Sequence, residues 1–232
     1  MARRQHIIAV AMALALGAPA TAMAQEIGFT YLEGGLFAGF VNDVGQAGTF
    51  AGNSTALELE TDAGGGGFIG GGWEFGENLH VFGEYSSANQ DLEVRGGSTP
   101  IEGDFSVTRW RIGVGYAHSF SPTTSLYGRF SFDGAELADL QVGGFNLDAD
   151  GDGTGFGSEV GMIWTATPTI HLQGHVRYTS VGEIAAEGSE TFDADILVGL
   201  TGRWHVRPDI ALVTGYELGK ITTWNVGARF SF

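Results

Sequence analysis

The chain has 232 residues, carries a formal charge of −16 with one lysine (Lys220), and contains no cysteine. Disulfides, thiol chemistry and cysteine-ligated metals are thereby excluded, and the acidic balance argues against nucleic acid as a partner. Glycine is abundant at 39 residues, yet it lacks a period of three, proline is scarce and aromatics reach 12%, so neither collagen nor a disordered chain fits.

At the start, Arg3 and Arg4 precede an apolar run from Ile7 to Leu16 and the small-residue stretch Ala22-Met23-Ala24. This pattern predicts a signal peptide over 1–24, cleaved after Ala24, and one mature domain over 25–232. Beyond it the sequence has no apolar run long enough for a membrane helix. A membrane location would therefore require a closed sheet.

Four short polar turns divide the rest: Gly76-Glu77-Asn78, Ser121-Pro122-Thr123-Thr124, Ala166-Thr167-Pro168 and His205-Val206-Arg207-Pro208. Three contain proline, which a central strand rejects. They alternate with longer stretches rich in glycine and acids, near 42–56, 88–104, 136–154 and 183–191, and with a tight hairpin at Leu218-Gly219-Lys220. Short and long connections in alternation are the habit of an outer-membrane barrel, short on the periplasmic side and long outside. The expected fold is all-β, a ten-stranded antiparallel transmembrane β-barrel, with eight strands as the alternative. Strands are expected near 27–41, 57–75, 79–88, 105–119, 125–135, 155–165, 169–182, 192–204, 209–217 and 221–232.

Within them, side chains alternate with period 2. Trp110, Ile112, Val114 and Tyr116 share a face opposite Arg109, Arg111, Gly113 and Gly115; Trp224, Val226, Ala228, Phe230 and Phe232 oppose Thr223, Asn225, Gly227, Arg229 and Ser231. Trp73, Tyr85, Trp110, Tyr116, Trp164, Tyr178, Trp204, Tyr216 and Trp224 are candidates for the interfacial aromatic girdles. A soluble antiparallel barrel also alternates, but its polar face would carry many lysines.

The polar face collects Glu33, Glu74, Glu84, Glu159 and Glu217 with Arg109, Arg111, Arg129, Arg177, Arg203 and Arg229, joined by His80, His171, His175 and Tyr127. Arginine presents five donors in a planar fork and can serve two carboxylates at once. Ten strands enclose a lumen only slightly wider than one that side chains fill. The expected arrangement is a structural lumen charge network, with a narrow water-filled path for small solutes as the alternative.

Asp148, Asp150 and Asp152, followed by Gly153, match the first half of a calcium loop, with Glu159 at its twelfth position. The flanks alternate as strand rather than helix, so a solvated acidic turn competes with weak Ca2+ binding. No cofactor is otherwise implied. HExxH, GxSxG and phosphate-loop motifs are absent. Loop acids such as Asp91, Asp104, Asp139 and Asp193 have no histidine in a long loop beside them, which disfavours a barrel hydrolase.

The stretches TYLEGG (30–35), HVFGEYS (80–86), TRWRIGVGYAHSFSPTTSLYGRFSF (108–132) and TTWNVGARFSF (222–232) resemble the Ax21-type outer-membrane proteins of proteobacteria, small barrels with a signal peptide. The resemblance implies export across the inner membrane of a Gram-negative bacterium and recognition of Phe232 by the barrel-assembly machinery. It also implies contact with outer-membrane lipid and lipopolysaccharide, and supplies no catalytic residues. The function expected is non-enzymatic, structural or in cell-surface interaction, with extracellular ligands reached through loops; alternatives are a narrow passive pore and a calcium-influenced surface adhesin.

Overall fold

The computed structural model describes residues 28–41, 58–61, 64–95, 101–146, 151–184 and 192–232. Their strands are β1 (Tyr31–Val41), β2 (Glu58–Thr61), β3 (Gly64–Phe75), β4 (Leu79–Arg95), β5 (Ile101–Ser121) and β6 (Thr124–Val142). They continue as β7 (Phe145–Asn146), β8 (Gly151–Thr167), β9 (Ile170–Ile184), β10 (Phe192–Arg207), β11 (Ile210–Leu218) and β12 (Ile221–Ser231).

Antiparallel pairing runs from β4 through β3 and β1 to β12, then down to β8, β6 and β5. The β4–β5 ladder closes the ring. The segments β2 and β3 both pair with β4, and β7 and β8 both pair with β6, so each couple acts as one interrupted strand. The result is a ten-stranded antiparallel closed β-barrel. Closure leaves no edge, which lets a sheet sit in hydrocarbon. Among the described residues no helix is long and apolar enough to cross a membrane.

Alternation places the greasy face outward. Along β5, Trp110, Ile112, Val114, Tyr116 and Phe120 are exposed while Val107 and Ala117 are buried. From Trp110 to Phe120 at about 3.3 Å per residue, with a tilt of about 40°, the band is about 25 Å tall, the height of an outer-membrane hydrocarbon belt. Tyr85 lies opposite Trp110 and Tyr216 opposite Trp224 at its upper edge.

Above that edge the polarity inverts. On β4, β5, β6 and β8 the outward positions become Ser87, Asn89, Asp91, Thr108, Asp104, Glu136 and Asp152, while the inward ones become Ala88, Phe105, Val107 and Ala135, all buried. Ala135, Val181 and Phe192 pack into one cluster with Leu137. Water rather than lipid bathes this part of the wall, so apolar side chains turn in, as in any soluble sheet.

The described parts of two stretches expected as long loops, 88–104 and 136–154, are therefore largely strand. The β4–β5 ladder continues from Tyr85↔Trp110 up to Val94↔Ile101, and β6 pairs with β8 up to Leu137↔Gly151. Gly143 and Gly144 both have positive φ (61° and 79°) and join β6 to β7 as a two-residue hairpin, the conformation that Gly-Gly supplies. Asp91, Asp104 and Asp139 consequently sit on strands and not on the loops assigned to them from sequence, and Asp193, also counted among the loop acids, lies on β10 within the expected strand 192–204. Period-2 patterning concealed this, because the inward and outward faces exchange character where the wall leaves the membrane. Residues 1–24, all of the expected 42–56 loop, Asp148 and Asp150 lie outside the described residues.

Candidate functional site

The lumen is the candidate site, and the sheet register assembles it. Across neighbouring strands Glu84 faces Arg111, Arg129 faces Glu159, Glu159 faces Arg177, and Glu33 faces Arg229. Opposite charges thus meet at the spacing of directly paired residues, about 5 Å between Cα atoms.

Arg111 uses its fork on two carboxylates. Its Nε and Nη2 donate to Glu84 Oε2 and Oε1 at 2.7 and 2.9 Å, and its Nη1 donates to Glu159 Oε2 at 2.8 Å. The other Glu159 oxygen accepts the Tyr127 hydroxyl at 2.8 Å, and Arg129 stands 3.6 Å from it. Gln173 donates its amide to the Tyr127 oxygen and accepts from Arg203 Nη2. A continuous polar chain therefore runs Glu84–Arg111–Glu159–Tyr127–Gln173–Arg203, linking β4, β5, β8, β6, β9 and β10. Charge-assisted, bidentate contacts of this kind are the strong ones.

Two smaller groups flank the chain. Glu217 accepts from Arg177 at 2.9 Å and sits 3.0 Å from His175 Nε2. Arg229 lies 3.6 Å from Glu33, rests 3.5 Å over the Tyr31 ring and donates to the Gly28 carbonyl at 3.1 Å. Arg109 donates to the Gly182 carbonyl at 2.7 Å. Glu74 stands apart at the periplasmic rim, where it accepts the Phe29 N–H at 3.2 Å.

Three residue types missing from the sequence-based set complete the site. Gln173 joins two halves of the polar chain. Asp133 is buried farther up β6, opposite Gly155, with Oδ1 unpartnered among the described residues. Phe29 and Phe82 supply ring faces: Phe29 stacks on His80 at 4.3 Å, and the Arg129 guanidinium lies 4.6 Å from the Phe82 centroid. Phe82 and Gln173 share the inward parity of Glu84 and Arg177 along their strands, a signal the charged residues overshadowed. Glycine clears the space these side chains need: a Cβ at Gly161 would stand 2.5 Å from Tyr127 Cζ.

Around the polar chain lie cavities of about 370, 220 and 180 Å³ along the lumen. The first opens at the periplasmic end, and Arg203 and Arg229 line both it and the second. Among the described residues no group of three or more His, Cys, Asp or Glu side chains is disposed to hold a metal. Glu159, the twelfth position of the calcium-loop spacing, is turned into the lumen and held by Arg111 and Tyr127. Asp152 is exposed on β8 opposite Glu136.

The model of the outer membrane protein beta-barrel domain matches residues 8–232. The chain belongs to this outer-membrane β-barrel family. In fold the barrel is similar to the outer membrane protein OprG from Pseudomonas aeruginosa, at 13% identity over 90% of this chain and 98% of that one, with a TM-score of 0.50. It is also similar to the KdgM porin bound to disordered oligogalacturonate (11% identity, 86% and 99% covered, TM-score 0.43). A third likeness is to Ail of Yersinia pestis in complex with the heparin analogue sucrose octasulfate (16%, 90% and 100%, TM-score 0.40). No curated protein sequence matches the chain.

Proposed function

We propose that this outer-membrane barrel is a non-enzymatic structural and surface-interaction protein whose lumen is filled by a static polar plug. The observation that carries this is the six-residue chain from Glu84 to Arg203, bound at both faces of Arg111 and spanning six strands. Buried charges are tolerated when paired and hydrogen-bonded, and a network so satisfied rigidifies what surrounds it. Among the described residues the spaces beside the plug measure about 180 to 370 Å³, which favours it over a passive solute path. Recording purified protein in a planar bilayer tests this: the expected trace shows no discrete steps across salts and voltages, whereas a reproducible unitary conductance would establish the pore instead.

The working surface in this reading is the extramembrane wall of β4, β5, β6 and β8. Asp91, Glu102, Asp104, Glu136 and Asp152 are exposed on it. Such a wall meets anionic lipopolysaccharide through bridging divalent cations and meets basic extracellular partners directly. The same reading includes an Ax21-type kinship, export with cleavage after Ala24, and delivery to the barrel-assembly machinery. Trp224, Val226, Phe230 and Phe232, all exposed on the last strand's outer face, supply the aromatic alternation for that step.

A further inference from the structure

The periplasmic end of the lumen holds a group of cationic and imidazole side chains of which only Arg203, the last link of the polar plug, also belongs to that plug. His171 and His205 face each other across β9 and β10 with ring centroids 4.4 Å apart. Arg203 lies directly opposite His171 in the register. With Arg229 these residues line the cavity of about 370 Å³ that opens toward the periplasm. All four are more than nine-tenths buried: Arg203 is 9% exposed, Arg229 7%, His171 4% and His205 8%.

Several of their polar atoms lack partners. Among the described residues, both ring nitrogens of His205, Nε2 of His171 and Nε of Arg203 make no hydrogen bond. Arg203 gives one bond, to the neutral Gln173 amide oxygen. The carboxylates nearby are committed elsewhere. Asp209 is taken by Arg207 at 3.2 Å, Glu74 accepts the Phe29 N–H, and Glu33 serves Arg229 alone at 3.6 Å. Arg203 and Arg229 repel one another across the space, and both act on the two histidines. Buried donors without acceptors cost free energy. A pair of guanidinium groups over a cavity is the arrangement that recognises a carboxylate or a phosphate.

We infer that this vestibule binds a small soluble anion of the periplasm, a phosphate or a short carboxylate, seated between Arg203 and Arg229 with His205 and His171 completing its hydrogen bonds. The cavity admits such a molecule with several waters, each of which occupies about 30 Å³ of liquid. The site goes beyond the plug reading, because His171, His205, Arg229 and the Nε of Arg203 take no part in the plug, and it does not depend on whether the barrel conducts.

The test is a thermal-unfolding titration of the folded full chain in a phosphate-free, lipid-free detergent, with inorganic phosphate or succinate against chloride at matched ionic strength. The expected result is a saturable rise in Tm with one of the two anions and none with chloride. His205→Asn and Arg203→Gln are each expected to weaken the apparent affinity at least tenfold, while Lys220→Gln, at the β11–β12 hairpin on the opposite end of the barrel, leaves it unchanged. Equal behaviour of phosphate, succinate and chloride in the wild-type protein overturns the inference, even where a variant fails to fold. So does a response that His205→Asn leaves intact. A response seen only after adding phospholipid bicelles assigns the site to a lipid headgroup and likewise overturns it.

Discussion

Arg111 is the residue on which most of the lumen leans. It satisfies both oxygens of Glu84 and one of Glu159, so Arg111→Leu leaves these carboxylates with only the longer Arg129 contacts, 3.9 and 3.6 Å, and the Tyr127 hydroxyl on Glu159. Removing one partner of a buried ion pair costs about 3–5 kcal/mol. The variant should therefore lose its heat-resistant folded form on gels at a markedly lower temperature than wild type. Arg177→Leu should cost less, because Glu217 keeps His175 at 3.0 Å; an unchanged melting curve for both variants would remove the stabilising role of the network. Gly161→Ala tests the same network by volume. The added methyl meets the Tyr127 ring, so Tyr127 must leave Glu159, and overpacking of this kind costs about 1–3 kcal/mol. At this scale the sequence shows which side chains turn inward, because parity along a strand is a local property. It does not show the pairing. Arg177 faces Glu159 in the register yet bonds Glu217, and Arg109 ends on a backbone carbonyl. Those choices depend on the stagger between strands, which closure of the whole barrel sets.

The extended β4–β5 hairpin carries a conflict of its own. Asp91 lies directly opposite Asp104, and Glu93 opposite Glu102. Like charges in paired positions destabilise a ladder by roughly 0.2–1 kcal/mol per pair. Removing one charge should therefore tighten the hairpin. Asp104→Asn is expected to slow amide hydrogen exchange across residues 88–104 and to blunt the stabilising effect of added salt, which screens exposed charges. Exchange that is no slower in the variant would mean that water already screens the pair completely. The same hairpin explains why sequence patterning stopped short. Residues 88–104 are rich in acids and contain Gly96, Gly97 and Pro100, features that read as loop. The register nevertheless continues to Val94↔Ile101, because Ala88, Phe105 and Val107 cover the interior and give the ladder an apolar face to hold.

Taken as a molecule, the barrel is lopsided. The β11–β12 hairpin turns at Gly219 and Lys220, just above the paired Tyr216 and Trp224, whereas β5 continues upward from Trp110 for nine more residues to Ile101. At about 3.3 Å per residue and the same tilt, that wall projects more than 20 Å beyond the lipid belt. Its outer face is acidic and its inner face apolar, the reverse of the part below. The absence of cysteine makes the boundary measurable by single substitutions in otherwise native protein. Asp91→Cys, Asp104→Cys and Asp152→Cys should react with a membrane-impermeant maleimide on intact cells. Ile112→Cys and Val114→Cys, one and two outward positions below Trp110, should react only after detergent extraction. Reaction at Ile112 in intact cells would place the lipid belt lower on the wall. Protection at Asp104 would mean that the wall is covered, either by lipopolysaccharide or by a partner. Repeating the labelling after divalent cations are chelated separates those two covers, because only the lipopolysaccharide layer is held together by bridging cations.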